Sequence, residues 1–168
     1  MNIDPVIKQI FLFGREFDEG FREPFQLLFN QLLAYKVEIR IFSPLKEFIL
    51  PWSSKACAGC CVFNTYDDLV GLEGVMFSIG GDGTFLEAVT LVRELPIPLA
   101  GINSGRLGFL ADISQDEISA AVDSILQNRA IFDERALLQL DTENPLFDGF
   151  NYEILAEDGP GLEYTPCV

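Results

Sequence analysis

Five residues near the middle of the chain carry its strongest chemical signal: Gly80-Gly81-Asp82-Gly83-Thr84. Three glycines let a backbone turn sharply and come close to a ligand. Successive N–H groups in such a turn, followed by a helix that starts at Thr84, form a concavity suited to an anion. The helix dipole adds a modest attraction of about 0.3–1 kcal/mol. Asp82 is the odd element, because a carboxylate repels phosphate. It makes sense there if it binds Mg²⁺, or if it takes the proton of an attacking hydroxyl. The bland alternative is a tight β-to-α turn whose aspartate merely caps the helix. The pattern is neither the Walker loop, since no lysine-serine pair follows, nor the dinucleotide pattern GxGxxG.

A second polar and glycine-bearing stretch runs from Gly101 to Asp112 and contains Asn103, Ser104, Gly105, Arg106, Gly108 and Phe109. Arg106 stands out in a chain with only 11 basic residues. Its guanidinium would form a charge-assisted pair with a phosphate. Phe109 could present its ring to a purine, or it could be one more core residue among 15 phenylalanines.

The elements that must position these loops are legible from periodicity. Apolar runs at Ile7–Phe13, Val37–Phe42, Gly74–Ile79, Leu99–Ile102 and Leu137–Leu140 read as strands. Phe25, Leu28, Phe29, Leu32 and Leu33 make one face of a helix over Arg22–Tyr35. Ser43-Pro44 can open a short helix, with the apolar run closing at Pro51. Residues 52–68 show little periodicity. A helix over Thr84–Leu95 is stopped by Pro96 and Pro98. Ser114 and Glu117 have capping-box spacing ahead of a further helix, whose inner face is Ile118, Ala121, Val122, Ile125 and Leu126. This order predicts an α/β fold, a three-layer domain on a largely parallel sheet. Its crossovers should be right-handed, and both glycine-bearing loops should lie at carboxyl ends of neighbouring strands, where such sheets bind ligands.

Composition narrows the chemistry. The chain has 168 residues, enough for one domain, with 11 basic against 26 acidic residues, a net charge of −15, and no histidine. A histidine-based triad and an imidazole metal site are excluded. The charge argues against nucleic acid and anionic membrane as partners. No run of 18 apolar residues exists and no basic segment precedes an apolar run at the N-terminus, so the reading is cytoplasmic. Four cysteines suit a reducing compartment.

Gly80 to Leu86 together with Gly101 to Leu110 resembles the NAD kinase family. The first motif is shared with diacylglycerol and sphingoid-base kinases, and loosely with phosphofructokinases. The second, about twenty residues later, is much more specific to NAD kinases. The similarity runs from about Ile7 to Leu140. It implies that residues 1–140 are the family's N-terminal α/β domain, with 141–168 the start of a connection to a second domain plus an atypical tail. It also implies a reaction, the transfer of the γ-phosphoryl of ATP to the 2′-hydroxyl of the adenosine ribose of NAD, giving NADP, with Mg²⁺ neutralising the polyphosphate. Asp82 would abstract the hydroxyl proton. Gly81, Gly83 and Thr84 would line the phosphate loop, and Phe109 would pack against adenine. Asn103 and Arg106 belong to the same cofactor-binding loop, without a role of their own.

Members of the family are close to twice this length. Their C-terminal β-sandwich carries an adjacent Asn-Glu or Asn-Asp pair and a glycine- and threonine-rich stretch. Here Asn151 and Glu153 are not adjacent, so that role is not carried over, and 155–168 reads as loop or extension. The expectation is half of a composite site, inactive or weak alone, that self-associates or joins the missing domain. The competing readings are a lipid- or diacylglycerol-type kinase half and a non-catalytic nucleotide-binding domain.

Three further groups invite a role. Cys57, Cys60 and Cys61 form CxxCC, open to a metal or redox reading but also to ordinary reduced thiols. Arg15, after the first strand, is either a phosphate contact or a surface arginine. Asp67, Asp68 and Asp158 default to a solvated acidic surface.

Overall fold

A computed structural model describes residues 5–57, 59–105, 108–138 and 164–167, with the backbone alone for 54–56, 136–138 and 164–167. The apolar runs form β1 (Gln9–Gly14), β2 (Glu38–Phe42), β3 (Cys61–Phe63), β4 (Val75–Gly80) and β5 (Leu99–Asn103). All five pair in parallel, in the order β3-β2-β1-β4-β5. Ile10–Phe13 and Val75–Ile79 are buried, as expected for central parallel strands covered on both sides.

The helices are α1 (Arg22–Tyr35), α2 (Ser43–Cys57), α3 (Asp82–Val92) and α4 (Ile118–Leu126). From β1 the chain steps outward through β2 to β3, then returns to β4 and steps the other way to β5. Right-handed crossovers in opposite directions put α1 and α3 on opposite faces of the sheet. This is the three-layer α/β fold that the sequence predicts. The direction reverses between β1 and β4, so a crevice opens beyond their carboxyl ends.

Aromatic packing holds α1 and α2 together. Phe25 meets Trp52 edge-on at 5.7 Å between ring centroids, and Phe17 contacts both Phe25 and Phe48. Helix α4 docks on α1 through a small polar knot. Asp123 Oδ1 accepts hydrogen bonds from Gln31 Nε2 at 2.7 Å and from the Tyr35 hydroxyl at 2.8 Å. That bond is also the main reason the Tyr35 phenol is held above its ordinary pKa. Asp123→Ala leaves two partly buried donors without this acceptor. We expect it to lower stability by about 1–2 kcal/mol, seen as an earlier urea midpoint with an unchanged slope.

Four boundaries differ from expectation. Helix α2 continues past Pro51 to Cys57, with non-helical backbone at Ser53 (φ −134°, ψ 27°). Proline removes one helical N–H and bends the helix, but Leu45 and Ile49 are buried before it and Cys57 after it, so packing carries the helix through. Part of the weakly periodic stretch forms β3 on the sheet edge. Helix α3 begins at Asp82, two residues earlier than predicted, with Gly81 as its N-cap. At the other end, β6 (Arg135–Leu138) pairs antiparallel with β7 (Tyr164–Cys167), so part of the tail read as loop is a strand. Gln139, Leu140, Asn151, Glu153 and Asp158 lie outside the described residues.

The capping box is present as foreseen. Ser114 and Glu117 bond reciprocally across a 3-10 turn that leads into α4.

Candidate functional site

The strand-to-helix turn at Gly80–Thr84 lies at the carboxyl end of β4, beside the crevice. Gly80 is where the fold itself demands glycine. A Cβ there would stand 2.3 Å from Thr84 Oγ1 and 2.6 Å from Thr84 Cβ. Gly81 and Gly83 differ, because a Cβ on either would meet no atom within 4 Å. Gly83 also lies in the first turn of α3, where glycine costs helix stability. Nothing within the described fold accounts for that glycine. No side chain caps the N-terminus of α3, and the first N–H groups of a helix have no acceptor within it.

The second loop leaves β5 at Asn103, the register partner of Gly80 in the sheet. Ser104 N–H donates to Gly80 O at 3.1 Å, which ties the two loops at their roots. Asn103 is buried and its amide works inside the loop. Its Nδ2 donates to Ala111 O at 3.3 Å and its Oδ1 accepts from Gly105 N–H at 2.8 Å. The chain then returns alongside β5, with Ile113 bridging Ile102. Arg106 lies outside the described residues.

Asp82 joins the loops at their tips. Its Oδ2 accepts from Phe109 N–H at 3.0 Å, and its Oδ1 accepts from Leu110 N–H at 2.9 Å and Ala111 N–H at 3.1 Å. These three bonds hold the carboxyl below the usual aspartate range. Gly108 passes so close that a Cβ on it would stand 2.1 Å from Asp82 Oδ1. Phe109 is 94% exposed, so it is not a core residue. Beside it lies an apolar groove of about 470 Å³ along α3, β5 and α4, lined by Phe85, Leu86, Val89, Phe109, Ile131 and Phe132 among others. Ile131 is 97% exposed at its rim. Sequence reasoning missed this groove. The unexplained apolar pair Ile131-Phe132 just past α4 was the available signal.

Arg15 stands at the carboxyl end of β1. Its Nε pairs with Glu87 Oε2 of α3 at 3.1 Å, and its guanidinium lies over the Phe42 ring. The pair is exposed and contributes little to stability. Burial raises the Cys57 thiol and, with Cys57 nearby, pushes Cys60 up to about 11, which disfavours the thiolate that redox and metal chemistry need. Among the described residues no three Asp, Glu or Cys side chains gather around one point. Asp68 closes a capping box with Thr65, and backbone N–H groups of Asn64 and Thr65 hold its carboxyl below the ordinary range.

A doubly wound parallel sheet with a glycine-rich turn at one strand end defines an α/β domain whose ligand crevice lies beyond the carboxyl ends of its strands. Comparison with known proteins narrows this class. Residues 74–130, which span both loops, match the model of the ATP-NAD kinase N-terminal domain. The chain is 33% identical over 141 residues to the NAD kinase of Cytophaga hutchinsonii, an alignment covering 84% of this chain and 48% of that protein. It is 50% identical over 66 residues to the NAD kinase of Bacteroides fragilis, covering 39% and 23%. The fold superposes on a crystal structure of yeast NADH kinase complexed with NADH with a TM-score of 0.65, at 18% identity, over 97% of this chain and 47% of that one. The chain is similar to NAD kinases through both loops, and it spans about half the length of the curated relatives it matches. A diacylglycerol-kinase reading rests on the first loop alone, whereas this match runs through both.

Proposed function

We propose that this domain supplies one wall of the site in which ATP phosphorylates the 2′-hydroxyl of the adenosine ribose of NAD, giving NADP. The observation that carries the reading is Gly83. It sits in a helical turn where alanine would be sterically free and energetically better, as expected if a phosphate approaches the backbone there. The uncapped N–H groups of α3 and the backbone at Gly81 would receive phosphate oxygens, with Thr84 in the same turn. Phe109, exposed beside the turn, offers its ring to adenine.

Asp82 is the base in this reading. A carboxylate has about four acceptor positions. Oδ1 is filled by two N–H donors, but Oδ2 carries one, so Oδ2 retains a lone pair for the ribose hydroxyl. Mg²⁺ belongs here as the ion of the triphosphate, whose charge it neutralises. The described side chains build no cage of their own for it. The remaining wall comes from further polypeptide, either a second domain or a second copy, and the exposed apolar rim at Phe109, Ile131 and Phe132 suits such a neighbour. The reduced thiols suit the cytoplasm. Among the described residues no helix is long and apolar enough to cross a membrane.

The test is an amide-resolved NMR titration of the isotope-labelled 168-residue chain with NAD, with MgATP and with diacylglycerol micelles. NAD and MgATP should shift signals in both loops, 80–84 and 103–111, and micelles should shift neither. Shifts with diacylglycerol alone, or with none of the three, overturn the reading.

A further inference from the structure

The three bonds to Asp82 ask for an explanation that proton abstraction does not supply. A base needs one free oxygen near a hydroxyl. Here both oxygens reach across 27 to 29 positions of sequence to take consecutive backbone N–H groups from the second loop. Aspartate at the first position of α3 is also the place where the helix dipole favours a negative charge, so its charge is stabilised from both sides. Among the described residues, Asp82 is the acceptor for all three of these donors. The loop's other ties lie at its roots, where Ser104 N–H bonds Gly80 O and Asn103 bonds Ala111 O and Gly105 N–H.

We propose that Asp82 is the positioning residue of the second loop: its carboxylate fixes the 108–111 backbone against the start of α3 and thereby decides where Phe109 is presented. This rests on the phosphotransfer reading only for the use to which Phe109 is put. Gly108 is part of the device, since a side chain there would occupy the space of the Asp82 carboxylate. The glycine needs no unusual backbone angle to explain it; proximity to Asp82 suffices. The two oxygens divide the work. Oδ1, with two donors, anchors, while Oδ2, with one, can exchange part of its bonding without releasing the loop.

Amide hydrogen exchange on the full 168-residue chain tests this without any nucleotide, so its failure leaves the phosphotransfer reading standing. Asp82→Ala should speed exchange at Phe109, Leu110 and Ala111 by at least ~10-fold while the amides of Phe11 and Leu12 in β1 keep their protection. Asp82→Asn should free Phe109 most, because the amide oxygen still serves Leu110 and Ala111 whereas its NH₂ group cannot accept. Gly108→Ala leaves Asp82 in place but displaces its carboxylate, and should reproduce the Asp82→Ala pattern. In the unaltered chain, the three amide proton shifts should titrate together with one midpoint below the ordinary aspartate range, a signature that general loop packing would not produce. Unchanged exchange at 109–111 in a folded Asp82→Ala protein overturns the proposal. If that variant fails to fold, unchanged exchange in Gly108→Ala, or three amides that do not titrate together, overturns it as well.

Discussion

Replacing Asp82 by asparagine is expected to lower kcat by about 10²-fold or more in any assembly of this domain that turns over. Nucleotide affinity should change by less than about tenfold, the worth of one neutral hydrogen bond at most. The two effects separate because the substitution separates two jobs. Asparagine keeps the size of aspartate and an oxygen able to accept from Leu110 and Ala111, so most of the loop stays where it is. It cannot accept a proton. A ribose hydroxyl is a poor nucleophile at neutral pH, and a positioned carboxylate helps by taking its proton as the bond to phosphorus forms. The low pKa of Asp82 makes it a weak base, so its value lies in placement rather than basicity, and a misplacement of about 1 Å can cost 10²-fold.

The pH dependence has a definite sign. The folded pKa of Asp82 is depressed by the Phe109, Leu110 and Ala111 N–H groups. Its contribution to holding the loop is therefore present above the ordinary aspartate value and is lost as pH falls through the lower folded value. Glu117, depressed by its bonds to Ser114, behaves the same way at the start of α4. Steady-state kinetics on the variant, with kcat and KM separated, checks the first expectation. A kcat that survives intact removes Asp82 from the chemistry and leaves it only the loop.

Much of this site was legible in the sequence because its parts are local. The helix over Arg22–Tyr35 appeared with the predicted bounds, since five apolar residues share one face and nothing competes. Both loops fell at adjacent strand ends because strand, helix and strand alternate regularly between Gly74 and Asn103. The misses came where distant packing overrides local preference. Pro51 reads as a stop, but buried residues on both sides of it keep α2 going. Asp82 reads as loop, yet it starts the helix, because the turn is tighter than its glycines suggest. The three bonds from Phe109, Leu110 and Ala111 had no local signal at all, since spacing cannot reveal which backbone groups a carboxylate will meet. The buried, loop-internal position of Asn103 was hidden for the same reason.

Two neighbouring glycines should respond to alanine in opposite ways, and that contrast divides what serves the fold from what serves the ligand. Gly80→Ala forces a Cβ to within 2.3 Å of Thr84 Oγ1, at the junction of β4 and α3. Either the first turn of α3 shifts or the strand end does, and overpacking of this kind costs about 1–3 kcal/mol. Gly83→Ala meets open space in a helical turn. It removes backbone freedom from the unfolded chain and adds helix propensity, so the domain should gain up to about 1 kcal/mol. A methyl at that place nonetheless stands where a phosphate would meet the N–H groups of the first turn. Losing one or two charge-assisted hydrogen bonds at about 1.5–3 kcal/mol each should weaken nucleotide binding by at least about tenfold. Thermal melting paired with calorimetric titration of NAD and MgATP reads both quantities on the same samples. A Gly83→Ala protein that is more stable and binds nucleotides as well as the parent would show that Gly83 faces no phosphate, and would take away the observation on which the phosphotransfer reading chiefly stands.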